Sequence, residues 1–135
     1  MIQIIMGLKG SGKTKKLIDS INQCVASAQG DVVCIEYGNN LRYEVSSRAR
    51  LVSSKEYGIQ NPDMLKGFLS GLHAGNYDIT NVYIDNLYKT IGNDRAIGES
   101  FILWCAEFAK ANEMNITVTV SDDPTLASEA VKAYL

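Results

Sequence analysis

Eight residues near the amino terminus constrain this 135-residue chain more than any others. Gly7, Leu8, Lys9, Gly10, Ser11, Gly12, Lys13 and Thr14 follow the pattern G-x-x-x-x-G-K-T and stand between two segments of different periodicity. Before them, Ile2 to Met6 is short, almost wholly apolar and rich in β-branched residues, as suits a parallel strand covered on both faces. After them, Leu17, Ile18, Ile21 and Val25 recur at helical spacing as far as about Ala28, with Gly30 as a stop signal. The string therefore reads as a tight loop between strand and helix. Glycines at positions 7, 10 and 12 let the main chain turn through conformations that other residues resist, and they let N–H groups approach an anion with no Cβ in the way. A helix beginning near Lys13 points its unpaired N–H groups and positive dipole end at the same place. This spacing predicts a polyphosphate cradle, in which Lys13 reaches the β- and γ-phosphates and the Thr14 hydroxyl joins a largely hydrated Mg²⁺ shell. Lys15 and Lys16 read as residues of the solvated helix face.

The rest of the chain repeats the alternation. Val32 to Glu36 is a second buried-type strand, closed by the turn-forming Tyr37, Gly38, Asn39 and Asn40. Short strands are expected at Leu41 to Val45 and Arg50 to Ser53. Asn61 is suited to cap a helix with Pro62 at its first position, and Met64, Leu65, Phe68, Leu69 and Leu72 form its apolar stripe as far as Gly75. Val82 to Ile84 is a short strand ending on Asp85, followed by a polar loop through Asp94. Ile97, Phe101, Trp104, Cys105 and Phe108 mark one face of a long helix, and this aromatic stripe reads as core because stacking on a ligand would need exposed rings. Ile116 to Val120 is a further strand, and Asp123 with Pro124 caps a last helix carrying Leu126, Ala130, Val131 and Tyr134. The pattern predicts one domain over residues 1–135: a three-layer α/β/α fold around a mostly parallel sheet of about five strands. Ligands are then expected at the carboxyl ends of the strands.

With these residues in view, the chain resembles the P-loop NTPase superfamily. Gly7 to Thr14 corresponds to its Walker A motif, and Val82, Tyr83, Ile84 and Asp85 to the apolar strand ending in Asp that completes the signature. The resemblance implies a P-loop fold, ATP or GTP as ligand, Mg²⁺ as cofactor, and a place for Asp85 beside the loop, where it holds the Mg²⁺ shell through water. The order of elements is similar to the RecA-like and thymidine-kinase-like branch. That branch usually carries a catalytic Glu directly after the Asp, and here the position is Asn86. An amide can orient water but cannot take its proton.

Other residues are candidates for the base. Glu36, at the carboxyl end of its strand, stands where some P-loop kinases hold an acceptor-site carboxylate, with a surface or turn role as the alternative. Asp122 follows the last strand as a polar sensor residue does in the family, with capping of the last helix as the alternative; Ser121 is a candidate γ-phosphate sensor, and Asp123 reads as a helix cap. Arg42, Arg48, Arg50 and Arg95 are the only arginines, and any of them could stabilise phosphoryl charge in cis or across a subunit interface. His73 near a helix end reads as structural.

Composition excludes several classes. With 46% hydrophobic and 21% charged residues the chain can bury a core, so disorder and a disulfide-stapled miniprotein are poor fits. A net charge of −2 gives no indication of nucleic-acid binding. Cys24, Cys34 and Cys105 lack metal-ligand spacing and read as reduced core thiols. Neither a membrane-spanning run nor a signal peptide is found, and a cytoplasmic location is expected. The sequence thus favours an Mg²⁺-dependent ATP- or GTP-binding protein with weak NTPase activity, which a homo-oligomer or protein partner could accelerate. Two alternatives are a nucleoside or small-molecule kinase and a catalytically weak nucleotide-sensing or assembly module.

Overall fold

A computed structural model describes residues 1–135. Five strands, β1 (Ile2–Gly7), β2 (Asp31–Glu36), β3 (Ala49–Ser53), β4 (Ile79–Ile84) and β5 (Asn115–Ser121), form one sheet in the order β1-β5-β4-β2-β3. Each of the four neighbouring pairs is parallel. The apolar runs at Ile2 to Met6, Val32 to Ile35 and Val82 to Ile84 follow from this, because a parallel strand covered on both faces needs apolar residues at successive positions.

The helices are α1 (Lys13–Ser27), α2 (Pro62–Gly75), α3 (Leu87–Ile91), α4 (Arg95–Ala111) and α5 (Glu129–Lys132). Leu17, Ile21 and Val25 of α1 pack with Val32, Cys34 and Tyr83 on one face of the sheet. Leu65 and Leu69 of α2, Leu87 of α3, and Phe101, Ile102 and Cys105 of α4 pack with Val33, Ile35, Ile84 and Val118 on the other. The sheet is therefore the middle of three layers. The expected cap on α2 forms, Asn61 accepting from Met64 N with Pro62 at the first helical position; Asp94, read from the sequence only as the end of a polar stretch, caps α4 by accepting from Ile97 N.

Three expectations are corrected. Residues 41–45 form no strand; they turn, burying Leu41 and Val45 under α1, because Glu36 accepts from the main-chain N–H groups of Asn40 and Leu41 and bends the chain away from the sheet. The polar segment after Asp85 is not all loop, since α3 interrupts it with Leu87 fully buried. Asp123 caps only a 3₁₀ turn, Pro124–Leu126, and Ser128 starts α5 by accepting from Val131 N. No cysteine is in a disulfide. Burial is the first cause that pushes the thiols of Cys34 and Cys105 well above the usual range, so neither supplies a thiolate nucleophile. No helix is long and apolar enough to cross a membrane.

Candidate functional site

The loop between β1 and α1 is built from the conformations that its glycines permit. Gly10 and Gly12 have φ of 86° and 82°, in the left-handed region. At Gly7 a Cβ would lie 2.5 Å from Ser11 Oγ and 3.2 Å from Ser11 Cβ, so a side chain there would require Ser11 to move. Gly12 caps α1 with no side-chain hydrogen bond, and the main-chain N–H groups of Gly10, Gly12, Lys13, Thr14 and Lys15 find no acceptor within the protein. Together with the positive end of a 15-residue helix they make a concave row of donors suited to an anion. Lys13 Nζ folds back over this row, donating to the Leu8 carbonyl at 3.0 Å and to Ser11 Oγ at 3.4 Å. The cleft above holds about 250 Å³ and has no hydrophobic residue in its lining. Lys9, Lys13 and Lys15 stand on its wall, which moves Lys15 from a purely solvated helix face to the rim.

Asp85 lies behind the wall of this cleft, against the lining residues Thr14 and Thr119, although β5 separates its strand from β1. Its carboxylate is buried, and Oδ1 accepts from Thr119 Oγ1 at 2.8 Å and, over a longer 3.4 Å, from Thr14 Oγ1. Thr119 also accepts from Asn86 N at 2.7 Å, so one β5 hydroxyl orients both residues that follow β4. Thr14 and Asp85 thus offer one hydroxyl and one carboxylate for a hard cation. The chain has no cluster of three or more His, Cys, Asp and Glu side chains, so water and ligand oxygens would fill the remaining positions.

Asn86 has φ 54°, unusual for a residue with a side chain, and lies on the wall of the cleft with Thr119 and Ser121. Glu36 is buried at the end of β2, with Oε1 accepting from Asn40 N at 2.9 Å and Oε2 from Leu41 N at 3.0 Å. It lies in a neighbouring cleft that it shares with Asp85 and Asn86.

The residues beyond β5 lock together instead of facing the cleft. Arg95 makes a two-pronged contact with Asp122, Nε to Oδ2 at 2.9 Å and Nη2 to Oδ1 at 2.8 Å, and Tyr88 Oη donates to Oδ2 at 2.8 Å. Asp122 N donates to the Gly7 carbonyl at 3.1 Å, tying this cluster to the start of the loop. Arg95 is therefore engaged, and none of Arg42, Arg48, Arg50 and Arg95 lines the cleft. His73 packs between the rings of Tyr77 and Phe108, away from any ligand cluster.

The Arg95 guanidinium, followed by the Tyr88 hydroxyl, holds the Asp122 carboxyl well below its ordinary value. A lowered folded-state value adds stability above the unfolded value of about 4, and this contribution is lost as pH falls through the folded one. Arg95→Met should therefore have a lower Tm than the wild type near neutral pH, with the gap narrowing progressively as pH falls below about 4. Thermal melts of both proteins across that range check it; a gap independent of pH would exclude the ion pair as the cause.

Two residues that hold this arrangement together carry no signal in the sequence. Thr119 sits in a strand where threonine is an ordinary β-former. Tyr88 reads as one more aromatic residue in a polar stretch. No family model and no curated protein matches the chain.

Proposed function

We propose that the chain is an Mg²⁺-dependent nucleoside-triphosphate-binding domain of the P-loop type, taking ATP or GTP and hydrolysing it slowly. The observation that carries this reading is the convergence on one cleft of unpaired main-chain N–H groups, the Lys13 ammonium group and the Thr14 hydroxyl, with the Asp85 carboxylate directly behind Thr14. Donors of this kind match the oxygens of a polyphosphate tail, and a hydroxyl with a carboxylate suits Mg²⁺, which usually takes one or two protein oxygens and keeps several waters. Such an ion would neutralise phosphate charge, while the chain's own residues position the tail. Slow hydrolysis follows from the proton inventory. Asn86 can orient a water but not deprotonate it, Asp122 is held by Arg95 and Tyr88, and both oxygens of Glu36 are engaged by main-chain N–H groups.

Thermal unfolding with Mg·ATP or Mg·GTP tests the reading. Ligand at 100 times its Kd stabilises a one-site protein by about 2.7 kcal/mol. Asp85→Asn should keep nucleotide binding but lose most of the additional stabilisation that Mg²⁺ brings. The absence of any shift with ATP, GTP or ADP, with and without Mg²⁺, would sink the assignment. A second reading, phosphoryl transfer to a small acceptor, is favoured by the polar cleft over Glu36, which adjoins the first across Asn86.

A further inference from the structure

The chain leaves β2 and β4 in opposite directions. From β2 it turns outward to the edge strand β3, passing under α1 through Leu41 and Val45. From β4 it turns inward to β5, passing over the other face through α3 and α4. Neighbouring parallel strands whose connections diverge in this way leave a crevice at their carboxyl ends, the usual place for a ligand in an open α/β sheet. In this sheet the crevice is a cleft of about 270 Å³ with one hydrophobic residue in its lining.

Its chemistry is uneven. The floor is Glu36 and Asp85, both buried, and neither forms an ion pair with any Lys or Arg. The oxygens of Glu36 are taken up by two main-chain N–H groups, and Oδ1 of Asp85 by two hydroxyls. Two ammonium groups from different elements stand on the walls: Lys55, from the turn after β3, and Lys89, from α3. Neither has a carboxylate partner, although Lys55 Nζ lies 5.8 Å from the centre of the Tyr37 ring. The side chains of Asn40 and Asn86 complete the polar wall. Asn86 is the residue common to this cleft and the phosphate cradle, and its left-handed backbone places it there.

From these features we infer that the crevice between β2 and β4 is a second ligand site, built for a small phosphomonoester that carries a hydroxyl group. Two unpaired ammonium groups match a dianion, and a carboxylate floor favours a hydrogen-bond donor at the ligand's other end. The volume of about 270 Å³ accommodates a molecule of sugar-phosphate size. Its cations are separate from those of the first cleft, because none belongs to the loop after β1, while Asp85 and Asn86 stand between the two sites.

Titration with inorganic phosphate and with glycerol 3-phosphate, followed through main-chain amide NMR shifts, separates the two sites. Both probes should shift Gly38, Asn40 and Asn86 saturably, with glycerol 3-phosphate the tighter. The double variant Lys55→Ala/Lys89→Ala should weaken that response about tenfold, while the responses of Gly10 and Gly12 persist. Lys13→Ala should do the reverse. Shifts confined to Gly10 and Gly12 would overturn the second site and leave the nucleotide reading in place. Shifts confined to Gly38 and Asn40 would uphold the second site and count against the cradle. A response at Gly38 and Asn40 equal in the double variant would also overturn the inference.

Discussion

Replacing Lys13 with Ala is expected to erase the thermal stabilisation that Mg·ATP confers while leaving the unliganded protein almost unchanged. The ammonium group is exposed and bonds only to the Leu8 carbonyl and, weakly, to Ser11 Oγ, so its removal costs folding at most about 0.5 kcal/mol. Against a phosphate tail the same group is one half of a charge-assisted contact, and truncating it costs about 3 kcal/mol, or roughly 150-fold in Kd. Ligand at 100 times the wild-type Kd then falls below the variant's Kd. The stabilisation drops from about 2.7 to about 0.3 kcal/mol. Lys16→Ala is the control, because Lys16 lies outside the cleft lining and should keep nearly the full shift. Calorimetric melts of the three proteins decide the matter, and an undiminished shift in Lys13→Ala would show that ATP binds elsewhere.

The asymmetry between these neighbouring lysines bears on what can be read from a sequence. Local features were legible wherever backbone conformation and residue type are tied together. The loop after β1, the Asn61–Pro62 helix start and the apolar parallel strands all belong to this class, since their causes lie within a few residues. Asp85 at the end of its strand was legible too. Long-range features were not. Gly30 reads as a helix stop, yet a Cβ there would sit 2.2 Å from the Asp78 carbonyl, so the residue is glycine because two strand beginnings approach at that point. Glu36 reads as a candidate base, and only the folded turn reveals that its carboxylate holds Asn40 and Leu41. The Arg95–Asp122 contact spans 27 positions, and nothing in either neighbourhood announces it. Thr119 acquires its role from a register that pairs β5 with both β1 and β4, which brings its hydroxyl to Asp85.

The aromatic stripe of α4 gives the second large effect, and it falls on stability rather than on ligand binding. Phe101 is fully buried in the larger core, its ring 6.1 Å from that of Trp104, which in turn stacks on Phe108 at 4.9 Å. Phe101→Ala removes most of a large ring from a site flanked by a parallel sheet, which cannot easily collapse into the space. The cost is about 3–5 kcal/mol, and Tm should fall by roughly 12–20 °C. A domain of ordinary stability would be left close to unfolding by that loss. Phe101→Leu, which leaves a smaller hole, should cost about 1–2 kcal/mol and remain folded enough for ligand measurements. In that variant the Mg·ATP shift should equal the wild-type shift, because the ring lies in the core and forms no part of the cleft lining. A Tm close to the wild-type value together with weakened ATP binding would reverse the assignment and make the stripe a stacking surface. Exposure argues against that outcome, since a base needs an accessible ring face and Phe101 has none to offer.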